Sequence, residues 1–303
     1  MNESVLTPDP LADSGLVIVD KPSGMTSHDV VSRLRRIFGT KRVGHSGTLD
    51  PMATGVLVLG LNRGTRFLPS VHADTKAYEA TIRLGASTLT DDMEGEVLSE
   101  ADASGVSDED VEKQVLALSG DIMQRPASVS AVKIDGVRAH ERVRRGEYVV
   151  LPERPVTVSR FDVTAIRRTD TWVDLDVVVE CSAGTFIRSL ARDMGAALGV
   201  GGHLTALRRT AAGPFTIADA RTLEQLEAEP VPSMSLDEAA LRCFPAVDIT
   251  AEDGAALAQG KWLTARGLKG VHAARTPDGR VPALVEESGK RLKTSFVLRP
   301  STL

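Results

Sequence analysis

Cysteine is nearly missing from this 303-residue chain: Cys181 and Cys243 stand far apart, with no C-x-x-C spacing. That argues against a disulfide framework and against a cysteine-bound zinc site. Six histidines are scattered without H-x-x-x-H spacing, so no metal-binding helix face is offered. The expectation is a protein that works without a structural metal. Long apolar runs are lacking as well. The longest, Val56 to Leu61, is strand-sized and far short of the roughly 20 residues that span a bilayer. The opening MNESVLTPDPLADSG has neither a basic n-region nor an apolar h-region. A cytoplasmic protein with no membrane partner is expected. Internal repeats and low-complexity tracts are absent too.

Charge is present but segregated. The net charge of −5 argues against a wholly basic nucleic-acid binder. Yet Lys21 to Arg66 holds eight Lys/Arg against two acids, and Arg125 to Arg168 holds ten against five. Both are candidate polyanion contacts. The ten acids from Asp91 to Glu112, with no base among them, read as a solvated helix face.

Residues 1–14 carry Pro8 and Pro10 without periodicity and read as a disordered tail. GLVIVD from Gly15 reads as a buried strand, closed by the turn Lys21-Pro22-Ser23-Gly24. Ser27 is placed to cap a helix with Val30, Val31, Leu34, Ile37 and Phe38 on its apolar face. Thr54 to Leu61 is a second strand. Tyr78, Ala80, Ile82 and Leu84 alternate with polar neighbours, and so do Val173, Leu175, Val177 and Val179. Such alternation marks half-buried strands. Ser107 and Asp110 predict a capped helix start, and Thr250 another that Gly260 ends. Alternating strands beside amphipathic helices predict an α+β fold with a mixed, largely antiparallel sheet flanked by helices. Pro230-Val231-Pro232 suggests a boundary, leaving a small β-rich module at 245–303.

One stretch looks least like scaffold: KRVGHSGTLDPMATGVLVLG, Lys41 to Gly60. Gly44, Gly47, Gly55 and Pro51 surround Asp50 and put its carboxylate on a tight loop before a buried strand. A loop carboxylate held this way can act as acid, base or nucleophile, or simply form an Asx turn. In CSAGTFIRSLARDMG, an N-cap at Thr185 puts Arg188 at the third helical position. A cation there opposes the macrodipole by about 0.3–1 kcal/mol. It calls for a compensating carboxylate or phosphate, unless the side chain bends back to solvent. Tyr78 is either core or catalytic, its hydroxyl needing a partner if buried.

Five ordered strings carry a resemblance: GLVIVDKPSGMTSHDVV, RVGHSGTLDPMATGVLVLGL, KAYEATIRLG, SAGTFIRSLARDMG and GGHLTALRRT. In order and spacing over roughly residues 15–230 they resemble the bacterial tRNA pseudouridine synthase B (TruB) family. The resemblance implies a pseudouridine synthase fold, with a catalytic domain at 15–232 and a PUA-like RNA-binding domain at 245–303. It implies an isomerase that converts uridine 55 of the tRNA T-loop to pseudouridine by base flipping, without cofactor or metal. Asp50 matches the catalytic aspartate, Arg188 the arginine that pairs with it, and Tyr78 the tyrosine that packs on the target base. His45, Phe186, Leu207 and Lys21 are candidate substrate contacts. Where this chain has Phe186 the family commonly has tyrosine, so a hydroxyl contact is absent. An RNA-contacting insertion is expected near 125–153, with Arg142, Arg144 and Arg145 as its densest charge. The implied partner is the tRNA T-arm, with no obligate protein partner and a monomeric state.

Two other classes share some of these features. A glycosidase-like hydrolase also uses an aspartate at an anomeric carbon but generally needs a second carboxylate 5–10 Å away, and the Asp50 motif offers none. A non-catalytic tRNA-binding module would leave Asp50 dispensable.

Overall fold

The computed structural model describes residues 9–71, 74–127, 133–134, 137–138, 145 and 151–302. Two compact units emerge: residues 1–51, 55–72 and 213–303 form the first, and residues 52–54 and 73–212 the second. The segment from 213 onward is grouped with the first strands.

The first unit opens with β1 (Gly15–Lys21), α1 (Ser27–Ile37), β2 (Val43–Ser46), β3 (Thr54–Leu61) and the one-turn α2 (Gly64–Phe67). It resumes with β13 (Phe215–Thr216), α5 (Leu223–Ala228), β14 (Met234–Ser235) and α6 (Leu236–Cys243). β1 runs antiparallel to β3 from Gly15↔Leu61 to Lys21↔Gly55, and β14 pairs with the start of β1. GLVIVDK and TGVLVLGL are apolar on both faces, and both strands are almost wholly buried. The α1 cap is Thr26 rather than the expected Ser27: Thr26 and Asp29 form a reciprocal capping box. That frees the Ser27 hydroxyl for another task.

Residues 9–14, expected in a disordered tail, instead form a turn with Leu11 and Ser14 buried. Arg299 anchors it through two bonds to the Asp9 carboxylate, 2.8 and 2.9 Å, and also pairs with Asp237 on α6. The small module holds β15 (Ala246–Asp248), α7 (Ala251–Ala258), β16 (Leu263–Thr264), β17 (His272–Arg275), β18 (Ala283–Ser288) and β19 (Arg291–Val297). Its sheet order is β15-β17-β18-β19-β16, over a core of Ile249, Leu257, Ala274, Ala283, Val285 and Leu292.

The second unit contains β4 (Thr75–Leu84), the hairpin β5 (Ala86–Thr88) and β6 (Val97–Glu100), α3 (Asp108–Ala117) and β7 (Gly120–Gln124). The pair β8 (Lys133–Ile134) and β9 (Val137–Arg138), then β10 (Arg154–Arg168), β11 (Val173–Ser182), α4 (Ile187–Ala197) and β12 (Gly202–Ala212) complete it. Its sheet runs β12-β4-β11-β10-β7, antiparallel throughout. The alternation in β4 and β11 sends Tyr78, Ala80, Ile82, Leu84, Val173, Val177 and Val179 to the buried face. On the other face Arg83 grips Asp174 through two bonds, 2.7 and 2.8 Å, and stacks over Trp172. α4 packs on β12 and β4. The contact needs glycines: a Cβ on Gly195 would lie 2.1 Å from the Gly202 nitrogen. Among the described residues, no helix is long and apolar enough to cross a membrane.

Candidate active site

Asp50 stands between β2 and β3, half-buried, in the first unit. The backbone on both sides of it is pinned. The Ser27 hydroxyl donates to the Leu49 carbonyl at 3.1 Å and accepts from the Leu49 amide at 2.9 Å. The Pro51 carbonyl accepts from the Gly24 amide at 2.8 Å and from Lys21 Nζ at 3.2 Å. Gly47, at φ +74°, makes the left-handed turn ahead of the loop. Lys21 was expected to contact substrate. It is fully buried in this structure, and its ammonium also donates to the Pro22 and Met25 carbonyls at 2.9 and 2.6 Å. A buried charge persists only when its hydrogen bonds are made, and one of those of Lys21 ties it to the residue after Asp50. His45 lies on β2, half-buried, opposite Leu59 of β3.

Tyr78 and Leu207 belong to the second unit, and the sheet brings them together. Tyr78 is buried on β4, opposite Val179 of β11 and Arg209 of β12. Leu207 pairs with Ala80, two residues along, and so lies diagonal to Tyr78 on the same face. Arg209, which the sequence reading passed over inside GGHLTALRRT, is almost wholly buried. Lys76 is two residues before Tyr78, and burial, then the nearby Arg209 cation, lowers its pKa from the usual lysine value. The Tyr78 face is therefore cationic at one end and apolar at the other.

Arg188 is the second residue of α4, not the third, because Phe186 rather than Thr185 is the N-cap, without a side-chain cap bond. The Gln124 side chain holds the Phe186 backbone: its Oε1 accepts from the Phe186 amide at 2.8 Å and its Nε2 donates to the Phe186 carbonyl at 3.1 Å. The Phe186 ring lies beneath the Arg154 guanidinium, 4.8 Å away. Arg188 is buried, donates to the Thr90 carbonyl at 2.8 Å and pairs with Asp92 at 3.4 Å. The anion that the dipole argument called for thus includes Asp92. The acidic run reads as a solvated helix face, yet Asp91 and Asp92 are buried in a loop, because their carboxylates meet two arginines of α4. The available signal was Thr88-Leu89-Thr90-Asp91-Asp92, where hydroxyls precede two acids able to turn the chain on themselves.

Of the insertion's arginines, Arg142 and Arg144 lie outside the described residues, and Arg145 is exposed in a turn. At the bounds of the expected insertion, Arg125 pairs with Glu153 at 3.2 Å, and Arg154 donates to the Gly184 carbonyl at 2.7 Å. No group of three His, Cys, Asp or Glu side chains is placed to hold a metal among the described residues.

Residues 35–187 match the family model for the N-terminal domain of TruB family pseudouridylate synthases. The chain belongs to the TruB family. Residues 188–244 match the tRNA pseudouridylate synthase B C-terminal domain, and 244–299 the C-terminal domain of tRNA pseudouridine synthase II. The chain is 67% identical to tRNA pseudouridine synthase B of Corynebacterium efficiens, over 97% of this chain and 99% of that one. Against the Rhodococcus jostii protein of the same name, identity is 57% over 97% and 96%. The fold is similar to that of a chain in a solved Cbf5–Nop10–Gar1 complex, with TM-score 0.72 and 25% identity over 96% of this chain and 87% of that chain. It is also similar to that of a chain in an H/ACA ribonucleoprotein bound to a substrate RNA containing 2′-deoxyuridine, TM-score 0.71, 25% identity, covering 95% and 86%. As a TruB member the chain is a pseudouridine synthase, and so an isomerase.

Proposed function

We propose that this enzyme isomerises uridine 55 in the T-loop of tRNA to pseudouridine. The observation that carries the reading is 67% identity over nearly the whole chain to a tRNA pseudouridine synthase B, with Asp50 held between pinned backbone groups at Leu49 and Pro51. The target uridine leaves the stack, at a cost of a few kcal/mol that an aromatic-walled pocket offsets. The Asp50 carboxylate acts at C1′ as the N1–C1′ bond breaks. The uracil turns, C5 bonds to C1′, the C5 proton is removed, and N1 ends protonated. Composition and mass are unchanged.

Arg188 serves as the charge partner of Asp50, and Tyr78 packs on the base and is the candidate for C5 proton removal. Leu207 and Phe186 line the base, and His45 faces the space that the nucleotide vacates. The basic segment 21–66, the insertion near 125–153 and the PUA-like module at 245–303 hold tRNA phosphates. The reaction needs no cofactor and no protein partner, and the enzyme works as a cytoplasmic monomer. The test is to incubate purified protein with unmodified tRNA and map pseudouridine. The expected result is one modified site, at 55, with RNA mass unchanged. Release of free uracil would make the enzyme a hydrolase, and no modification at 55 would overturn the assignment.

A further inference from the structure

The turn that orients Arg188 is itself held. Between β5 and β6 the chain bends at Asp91, whose φ of +59° is left-handed, costly for a residue with a Cβ though tolerated best by Asp and Asn. Successive side chains of an extended chain point to opposite sides. The bend turns Asp91 and Asp92 toward one helix. There two arginines meet them: Arg188 pairs with Asp92, and Arg192 pairs with Asp91 at 3.2 Å. The arginines are four residues apart on α4, hence on one face. Arg192 is anchored further, donating to the Arg125 carbonyl at 2.7 Å and to Asp193 at 2.9 Å. The Asp91 carbonyl accepts from the Leu204 amide at 3.1 Å. Strained backbone persists where the surroundings over-determine it, and such strain gathers at functional sites.

We propose that Arg192 and Asp91 are positioning residues for Arg188: their ion pair holds the bent turn so that the Thr90 carbonyl and the Asp92 carboxylate fix the Arg188 guanidinium. The inference rests on the reading of Arg188 as the charge partner of Asp50. Asp92 is locked into the same turn, accepting from the Thr90 hydroxyl and from the Glu94 amide at 3.1 Å. If the Asp91 anchor is lost, the Thr90 carbonyl and the Asp92 carboxylate move together. Neither Arg192 nor Asp91 needs to touch substrate for this. Burial pushes the Asp91 carboxyl up to about 6, and the Arg192 cation beside it works in the opposite direction, favouring the charged form.

The experiment measures single-turnover rate at saturating enzyme, tRNA affinity and thermal melting for Arg192→Met, Asp91→Asn, their double variant and Arg188→Met. A small misplacement of a reacting group is costly, so each single variant is expected to lose about ten-fold or more in rate, with tRNA affinity within two-fold. The double variant is expected to be no slower than the slower single, since both break one clamp. Asp91→Asn tolerates the left-handed backbone and carries the test if Arg192→Met fails to fold. Rates within two-fold of wild type for both single variants, or losses that multiply in the double, overturn the clamp. An unimpaired Arg188→Met instead overturns the role of Arg188. An inactive Arg188→Met beside unimpaired Arg192→Met and Asp91→Asn overturns the clamp alone.

Discussion

At position 50 a single carboxylate carries the proposed chemistry, and the groups around it decide how rigidly it is presented. Asp50→Asn keeps shape and removes charge, so single-turnover activity is expected to fall by about a thousand-fold or more. Binding rests on many phosphate contacts, so tRNA affinity stays within a few-fold. A variant keeping a tenth of the wild-type rate would remove Asp50 from the mechanism. Ser27→Ala tests the support, since it strips the buried partner from both backbone groups of Leu49. An expected cost of about 1–3 kcal/mol follows from the orphaned groups, readable as a lower urea midpoint. Asp91 gives a pH signature. Its folded pKa of about 6 stands above the ordinary 3.8, so the folded state binds the extra proton. Its contribution is fully present below about pH 4 and lost as pH rises through 6. Relative to Asp91→Asn, the wild type should therefore gain stability on going from pH 7 to pH 5. An equal pH dependence in the two proteins would contradict this.

Helix α4 carries both Arg188 and Arg192, so the proposed clamp depends on how the helix is seated. It seats on β12 through Gly195 and Gly202, where a Gly195 Cβ would meet the Gly202 nitrogen at 2.1 Å and the Gly201 carbonyl carbon at 2.2 Å. Gly195→Ala gains about 1 kcal/mol in helix propensity. Against that stands backbone, not a yielding side chain, and overpacking of this kind costs about 1–3 kcal/mol or more. The clash wins. Gly195→Ala is expected to melt lower and turn over more slowly, as α4 lifts from the strand. A variant with higher Tm and full activity would mean that the helix seats with slack.

For the whole molecule, binding of a polyanion by a chain of net charge −5 must come from segregated charge. Replacing Arg142, Arg144 and Arg145 together by Ala removes up to three phosphate contacts. The slope of log K against log salt should flatten by about two units, with the rate at saturating tRNA little changed. Identical slopes would shift the footprint to residues 21–66 and the C-terminal module. At the other end of the chain, Arg299 lowers the Asp9 carboxyl to about 2, chiefly through its hydrogen bonds. The resulting stability is present above about pH 4 and lost as pH falls through 2. Asp9 is partly exposed, so Asp9→Asn is expected to cost about 1 kcal/mol at pH 7 after solvent screening.

Much of this was legible in residue order alone. Period-two alternation in β4 and β11, the apolar runs of β1 and β3, the capping box before α3 and the GHSGTLDP loop depend on neighbours a few positions apart, and local physics decides them. The same string carried the family and Asp50 with it. Tertiary structure decided the charges. Lys21 lies under the Asp50 loop on three carbonyls, Arg188 pairs with an aspartate 96 positions earlier in the chain, and Asp91 and Asp92 are buried where an acidic run suggested solvent. A side chain's charge says only that it needs a partner or water. Which of the two it finds depends on what the sheet and helix bring to it from far along the chain, and no local pattern records that.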